Sequence, residues 1–154
     1  MKKKLMKANK LVVIVFSISL FFLGTGCKKK TPGCMNTAAT NYKPSAELED
    51  GSCTFEGSAT FWFDDTTGID FQMNGVDALI IKLDGEDVGG LDVTQYLTSA
   101  PDCWGSDCVT VFKNMGNSAS KPFPYIVQDG NGNLIWSGNI MYTANTCIKK
   151  ELHY

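Results

Sequence analysis

The sequence predicts an all-β protein: a single small β-sandwich of seven or eight antiparallel strands, immunoglobulin-like or Greek-key in type, behind an N-terminal disulfide-closed loop module. Three observations predict it. From Ser58 onward, β-branched and aromatic residues alternate with polar ones in short runs, separated by turn residues at even spacing. No segment sustains a 3.6-residue apolar period, apart from a single turn near Val93 to Leu97. Six cysteines in 154 residues read as disulfide material if the chain is exported.

The elements follow in chain order. Ser58 to Asp64 is an aromatic strand ended by the turn-rich Asp64-Asp65-Thr66-Thr67-Gly68. Ala78 to Leu83 has a β-branched centre and meets Asp84-Gly85, a strong hairpin signal, and the chain returns from Glu86 to Leu91. Gly89-Gly90 marks a bulge or the end of that edge strand. Cys108 to Lys113 is the next strand. Phe123 to Gln128 turns at Asp129-Gly130-Asn131-Gly132 into Asn133 to Trp136, and Asn139 to Thr143 and Cys147 to Leu152 close the set.

The N-terminus reads as an address. Five lysines up to Lys10 precede an apolar run of 13 residues, Leu11 to Leu23, and small residues lead into Cys27. A basic segment, a short apolar segment and a small-residue cleavage site make an export signal over 1–26. The apolar run is shorter than the roughly 18–20 residues a membrane-spanning helix needs. Leu23-Gly24-Thr25-Gly26-Cys27 resembles a relaxed bacterial lipobox, of the kind familiar in lipoproteins of Bacteroidota. That resemblance implies lipidation of Cys27 and anchoring by acyl chains without a spanning helix. Residues 27–33 then form a lipidated tether. Lys28, Lys29 and Lys30 stand where surface-exported lipoproteins of that phylum often carry acids, so the periplasmic face of the outer membrane is favoured over the cell surface.

Composition excludes several function classes. All 16 acidic residues and only nine of the 14 lysines lie from Cys27 onward, a formal net charge of −7. Nucleic acid would need a basic stripe, and the body is acidic. There is no arginine, so the bidentate fork that recognises phosphate and carboxylate is missing. The only histidine is His153, beside the last residue, a poor place for a general base. No Ser-His-Asp, Cys-His, Gly-x-Gly-x-x-Gly or P-loop arrangement exists after Cys27, so the chain is read as a non-enzyme.

Residues 34–53 form a separate module. Gly33-Cys34, Ala39, Asn41-Tyr42, Pro44, Ala46 and Asp50-Gly51-Ser52-Cys53 resemble a cysteine-bounded module of secreted Bacteroidota proteins. The resemblance points to a Cys34–Cys53 bridge, and closing a loop of that length is worth about 3 kcal/mol in the chain-entropy model. Residues 54–154 form the sandwich domain. Phe61-Trp62-Phe63, Leu83-Asp84-Gly85, Ala100-Pro101-Asp102-Cys103, Trp136-Ser137-Gly138 and Cys147 resemble β-sandwich domains of lipoproteins in the same phylum. That likeness implies a Cys103–Cys147 bridge and leaves Cys108 free. A local Cys103–Cys108 bridge is the alternative. Asp65-Thr66-Thr67 fits a short O-glycosylation acceptor pattern of Bacteroides-like bacteria, which would mark a surface loop.

Two candidate sites follow. Trp104 sits on a cysteine-bracketed loop and can stack on the apolar face of a sugar ring, with Tyr96, Asp102 and Asp107 adding hydrogen bonds. The alternative is that Trp104 caps the open end of the sandwich. Glu47, Glu49 and Asp50 are weak candidates for a Ca2+ site, set against a plain acidic turn. Asp129, Asn131 and Asn133 have calcium-loop spacing, but Leu134 and Ile140 stand where an EF-hand needs Gly and Glu. The expected function is a lipid-anchored envelope accessory or interaction protein without catalysis, partnered by the membrane and by an envelope protein or glycan. The alternatives are a carbohydrate-binding module using Trp104 and a calcium-dependent adhesion module.

Overall fold

A computed structural model describes residues 28–153; the expected export signal, 1–26, and the expected lipidation site, Cys27, lie outside them. Residues Thr31–Tyr154 make one compact unit, in which the cysteine-bounded module and the sandwich pack together. Among the described residues no helix is long and apolar enough to cross a membrane.

The module begins with two short strands, β1 (Pro32–Gly33) and β2 (Leu48–Glu49), paired in parallel. Cys34 is bonded to Cys53. The amide of Asn41 ties the module's ends together. Its Nδ2 donates to the Ser52 carbonyl at 2.6 Å, and its Oδ1 accepts from Thr54 N–H at 2.9 Å. Gly51 has φ 73°, a conformation that suits glycine. These contacts explain the Asn41 and Asp50-Gly51-Ser52 motif positions by local geometry.

The sandwich has a three-stranded and a four-stranded sheet. The first runs β6 (Val109–Gly116), β3 (Phe55–Trp62), β9 (Cys147–Glu151). The second runs β5 (Glu86–Asp92), β4 (Ala78–Leu83), β7 (Ser120–Asp129), β8 (Leu134–Thr143). Period-2 alternation sends Leu79, Ile81 and Leu83 inward, to meet Phe61 and Ala59 of β3 and Phe123, Tyr125 and Val127 of β7. The Phe61 and Tyr125 rings bridge the sheets with centroids 5.7 Å apart. At Gly57 the two sheets approach closely, since a Cβ there would lie 2.7 Å from the Thr143 carbonyl oxygen of β8.

Four features differ from the sequence expectation. The β3–β9 pair is parallel, whereas all pairs were expected antiparallel. The short Ala144–Thr146 turn carries the chain from β8 across to the other sheet, where β9 lands on the edge of β3 left open by β6. Second, β8 is one continuous strand and not two. Gly138 accommodates the Tyr125 ring, which a Cβ would approach to 3.0 Å, so this glycine serves packing and not a break. Third, β7 begins at Ser120, earlier than Phe123. Fourth, the segment read as a turn at Asp64 to Gly68 opens a helix, α1 (Asp65–Met73). Asp64 caps it by accepting from Thr67 N–H at 2.9 Å, and that bond holds the Asp64 carboxyl below the usual carboxylate range. Thr66 is exposed and Thr67 buried, so the Asp65-Thr66-Thr67 pattern lies on a helical turn, not a loop.

Tyr142 is buried between the sheets and its hydroxyl donates to the Val111 carbonyl at 3.2 Å. Burial pushes this phenol up from 10.0 to about 12. Its contribution to stability is complete below the unfolded value and is lost as pH rises towards the folded value. Urea unfolding between about pH 10 and 12 should therefore show falling stability in the native chain and a flatter profile in Tyr142→Phe.

Candidate functional site

The outer face of the β6–β3–β9 sheet carries the candidate site. Residues paired across strands share a face, so the register sets out its rows. Phe112, Ser58 and Cys147 form one row, and Thr110, Thr60 and Lys149 form the next. Thr60 Oγ1 lies 2.8 Å from Thr110 Oγ1 and 3.5 Å from Cys147 Sγ.

Cys147 fixes what lies above this face. It is bonded to Cys103, the longer-range of the two pairings, and Cys108 keeps its thiol. The bond holds the 101–107 loop over the sheet. Within the loop, Gly105 N–H donates to the Asp102 carbonyl at 2.9 Å, and the Cys108 thiol lies 3.1 Å from the Gly105 carbonyl. Lys149 lies 3.8 Å from Asp102. The backbone of Trp104 is thereby held at φ 81°, which costs about 1–3 kcal/mol for a bulky residue. Its N–H lies 3.4 Å from Thr110 Oγ1, a long contact.

The result is an aromatic platform. Trp104 stacks on Phe112 with centroids 4.3 Å apart and planes 27° apart. Trp104 is 60 % exposed and Phe112 55 % exposed. Trp104 thus does not cap the end of the sandwich. It lies across the outer face of a sheet, with much of its ring open to solvent.

Trp104 and Phe112 form one side of a groove of about 370 Å³. The module supplies another side, Thr37 to Thr40, held by the Thr40 Oγ1–Thr54 Oγ1 contact at 2.8 Å. Glu56, Ser58 and Asn145 also line the groove. Among the described residues their side chains make no hydrogen bond or ion pair with protein groups. An exposed ring stack beside unengaged carboxylate, hydroxyl and amide groups can take a ligand with an apolar face and a polar rim.

The other expected site residues are not brought here. Tyr96 packs near Gly68 of α1, where a Cβ would lie 3.0 Å from its ring. Asp102 turns to Lys149, and Asp107, with φ 61°, is exposed and does not line the groove. Phe112, Glu56 and Ser58 were missed. Phe112 carried a signal, as the apolar residue between Thr110 and Asn114 on one face of its strand.

The acidic candidates are engaged elsewhere. Glu49 accepts from the backbone N–H groups of Met35 at 2.7 Å and Gly51 at 3.1 Å. Asp50 accepts from Ser52 N–H at 3.0 Å, and Ser52 holds its carboxyl below the usual range. Glu47 is exposed and does not join them in a cluster. The one three-residue group of metal-ligand type among the described residues is Cys34, Glu49 and Cys53, and its two sulfurs are bonded to each other. Asp129 accepts from Asn131 N–H, Asn133 N–H and Asn133 Nδ2, so the calcium-like spacing builds a hairpin turn.

No known family model, curated protein or solved structure matches the chain.

Proposed function

We propose that this protein is a non-catalytic, lipid-anchored binding protein of the bacterial cell envelope that holds a saccharide in the groove beside Trp104. The observation that carries the reading is the Trp104–Phe112 stack, held open to solvent by a strained backbone and a disulfide. A sugar ring offers an apolar C–H face to the indole and hydroxyls to Glu56, Ser58 and Asn145. Binding supported by a few anchoring aromatics needs no catalytic group. The anchor rests on the pattern Lys2 to Cys27, which would place the groove at the outer membrane, periplasmic face favoured. The resemblance of both segments to Bacteroidota lipoproteins belongs to the same reading.

Trp104→Ala tests it. In calorimetric titration of the full-length chain in detergent against a panel of neutral and charged oligosaccharides, the native protein should bind saturably. The variant should lose about 10- to 100-fold in affinity, the size of loss a central aromatic anchor gives. Its melting temperature should change little, because the ring is largely exposed. Equal binding by the variant, or no binding by the folded native chain, would refute the proposal.

A further inference from the structure

We infer that the groove selects an amino sugar with a free ammonium, and that Glu56 is the residue that determines this specificity. The inference rests on the saccharide reading of the groove and adds the charge of its ligand. Glu56 lies on β3 in the groove, with its carboxylate unpaired among the described residues. Among the described residues no Lys, Arg or His lines the groove, so the only formal charge they place there is negative. Lys113, paired with Gly57 beside Glu56, alternates to the other face and lies 3.4 Å from Glu86, and Lys149, on the groove's face, is turned to Asp102.

Three physical effects then act in the same direction. A lone carboxylate attracts a cation and repels an acidic sugar. The exposed face of Trp104 is the best of the aromatic side chains for a cation. The body beyond Lys30 carries six lysines against 16 acids, so the wider field also draws cations to the face. A hydrogen bond from an ammonium to Glu56 is of the charge-assisted kind, stronger than one from a neutral hydroxyl at the same ring position.

The test uses the full-length chain and three β-1,4-linked tetrasaccharides of equal length: glucosamine, glucose and glucuronate. Titrations run at about pH 6, where the amine is protonated. The expected order is glucosamine tightest, glucose about tenfold weaker, and glucuronate weaker still. Glu56→Gln, a near-isosteric change at an exposed position, should abolish the preference, so that the variant binds glucosamine and glucose with equal affinity. Equal affinity for glucosamine and glucose would overturn the inference while leaving the saccharide site standing. So would a preference that persists in Glu56→Gln, since that is attraction to the acidic body as a whole. Failure of all three sugars to bind, or binding indifferent to Trp104→Ala, would overturn the site itself.

Discussion

Replacing Cys103 and Cys147 together by alanine will destabilise the chain by about 4 kcal/mol and weaken saccharide binding in the same protein. The bond closes a separation of 44 residues, and the chain-entropy model gives a stabilisation of that size for such a loop. It acts on two elements. It pins β9, the last strand, whose other attachment is its parallel ladder to β3. It also holds the loop that places Trp104 over Phe112. Urea unfolding should show a lower midpoint and a steeper slope, because the unfolded chain loses a cross-link and exposes more surface, and titration should show a loss approaching that of Trp104→Ala. Among the described residues the double variant keeps Cys108 as its only thiol outside the Cys34–Cys53 bond, so no new bridge can form within the 101–107 loop. An unchanged midpoint would show that the sheet ladder alone holds β9.

Phe61→Ala will cost about 3–5 kcal/mol, close to the whole stability of a marginal domain of this size. Phe61 is 0 % exposed and lies in the central strand of the smaller sheet. Its ring meets Tyr125 of the facing sheet, so truncation leaves a cavity between the layers that neither sheet can close without breaking its ladders. The near-ultraviolet dichroism of Tyr125 should fall with the melting temperature. Trp104→Ala is its counterpart: a change at an exposed ring that alters binding and leaves stability near its native value.

The fold was largely legible because its strands obey local rules. Ala78 to Leu83 alternates cleanly and Asp84-Gly85 adopts positive φ at both positions, so the β4–β5 hairpin could be read from ten residues. The register shift opposite Gly89 is the bulge that Gly89-Gly90 signals. Helix α1 was hidden for a physical reason. Only Thr67, Gly68 and Phe71 are buried, so it has no apolar stripe, and Gly68 is there because Val93 and Phe63 crowd it. The parallel β3–β9 pair was hidden because a strand's partner is a long-range choice that its own residues do not record.

The site was half legible. Trp104 stood out as an aromatic on a cysteine-bracketed loop. Its surroundings did not, because the groove is assembled from five separate segments: the module, β3, the 101–107 loop, β6 and the β8–β9 turn. Proximity in sequence suggested Asp102 and Asp107, whereas the register of β3 with β6 brings in Ser58 and Phe112. The acids of the module looked like metal ligands as a list of residues. In three dimensions Glu49 and Asp50 accept from nearby backbone N–H groups.

The central claim is that the groove beside Trp104 is where ligand sits. The direct measurement is a nitrogen-15 correlation spectrum of the full-length chain titrated with the β-1,4-glucosamine tetramer. Saturable shifts are expected in the Trp104 indole N–H and in the amides of Thr37 to Thr40, Glu56, Ser58, Phe112 and Asn145. A spectrum that does not move, or one that moves only around α1 or the four-stranded sheet, would contradict it.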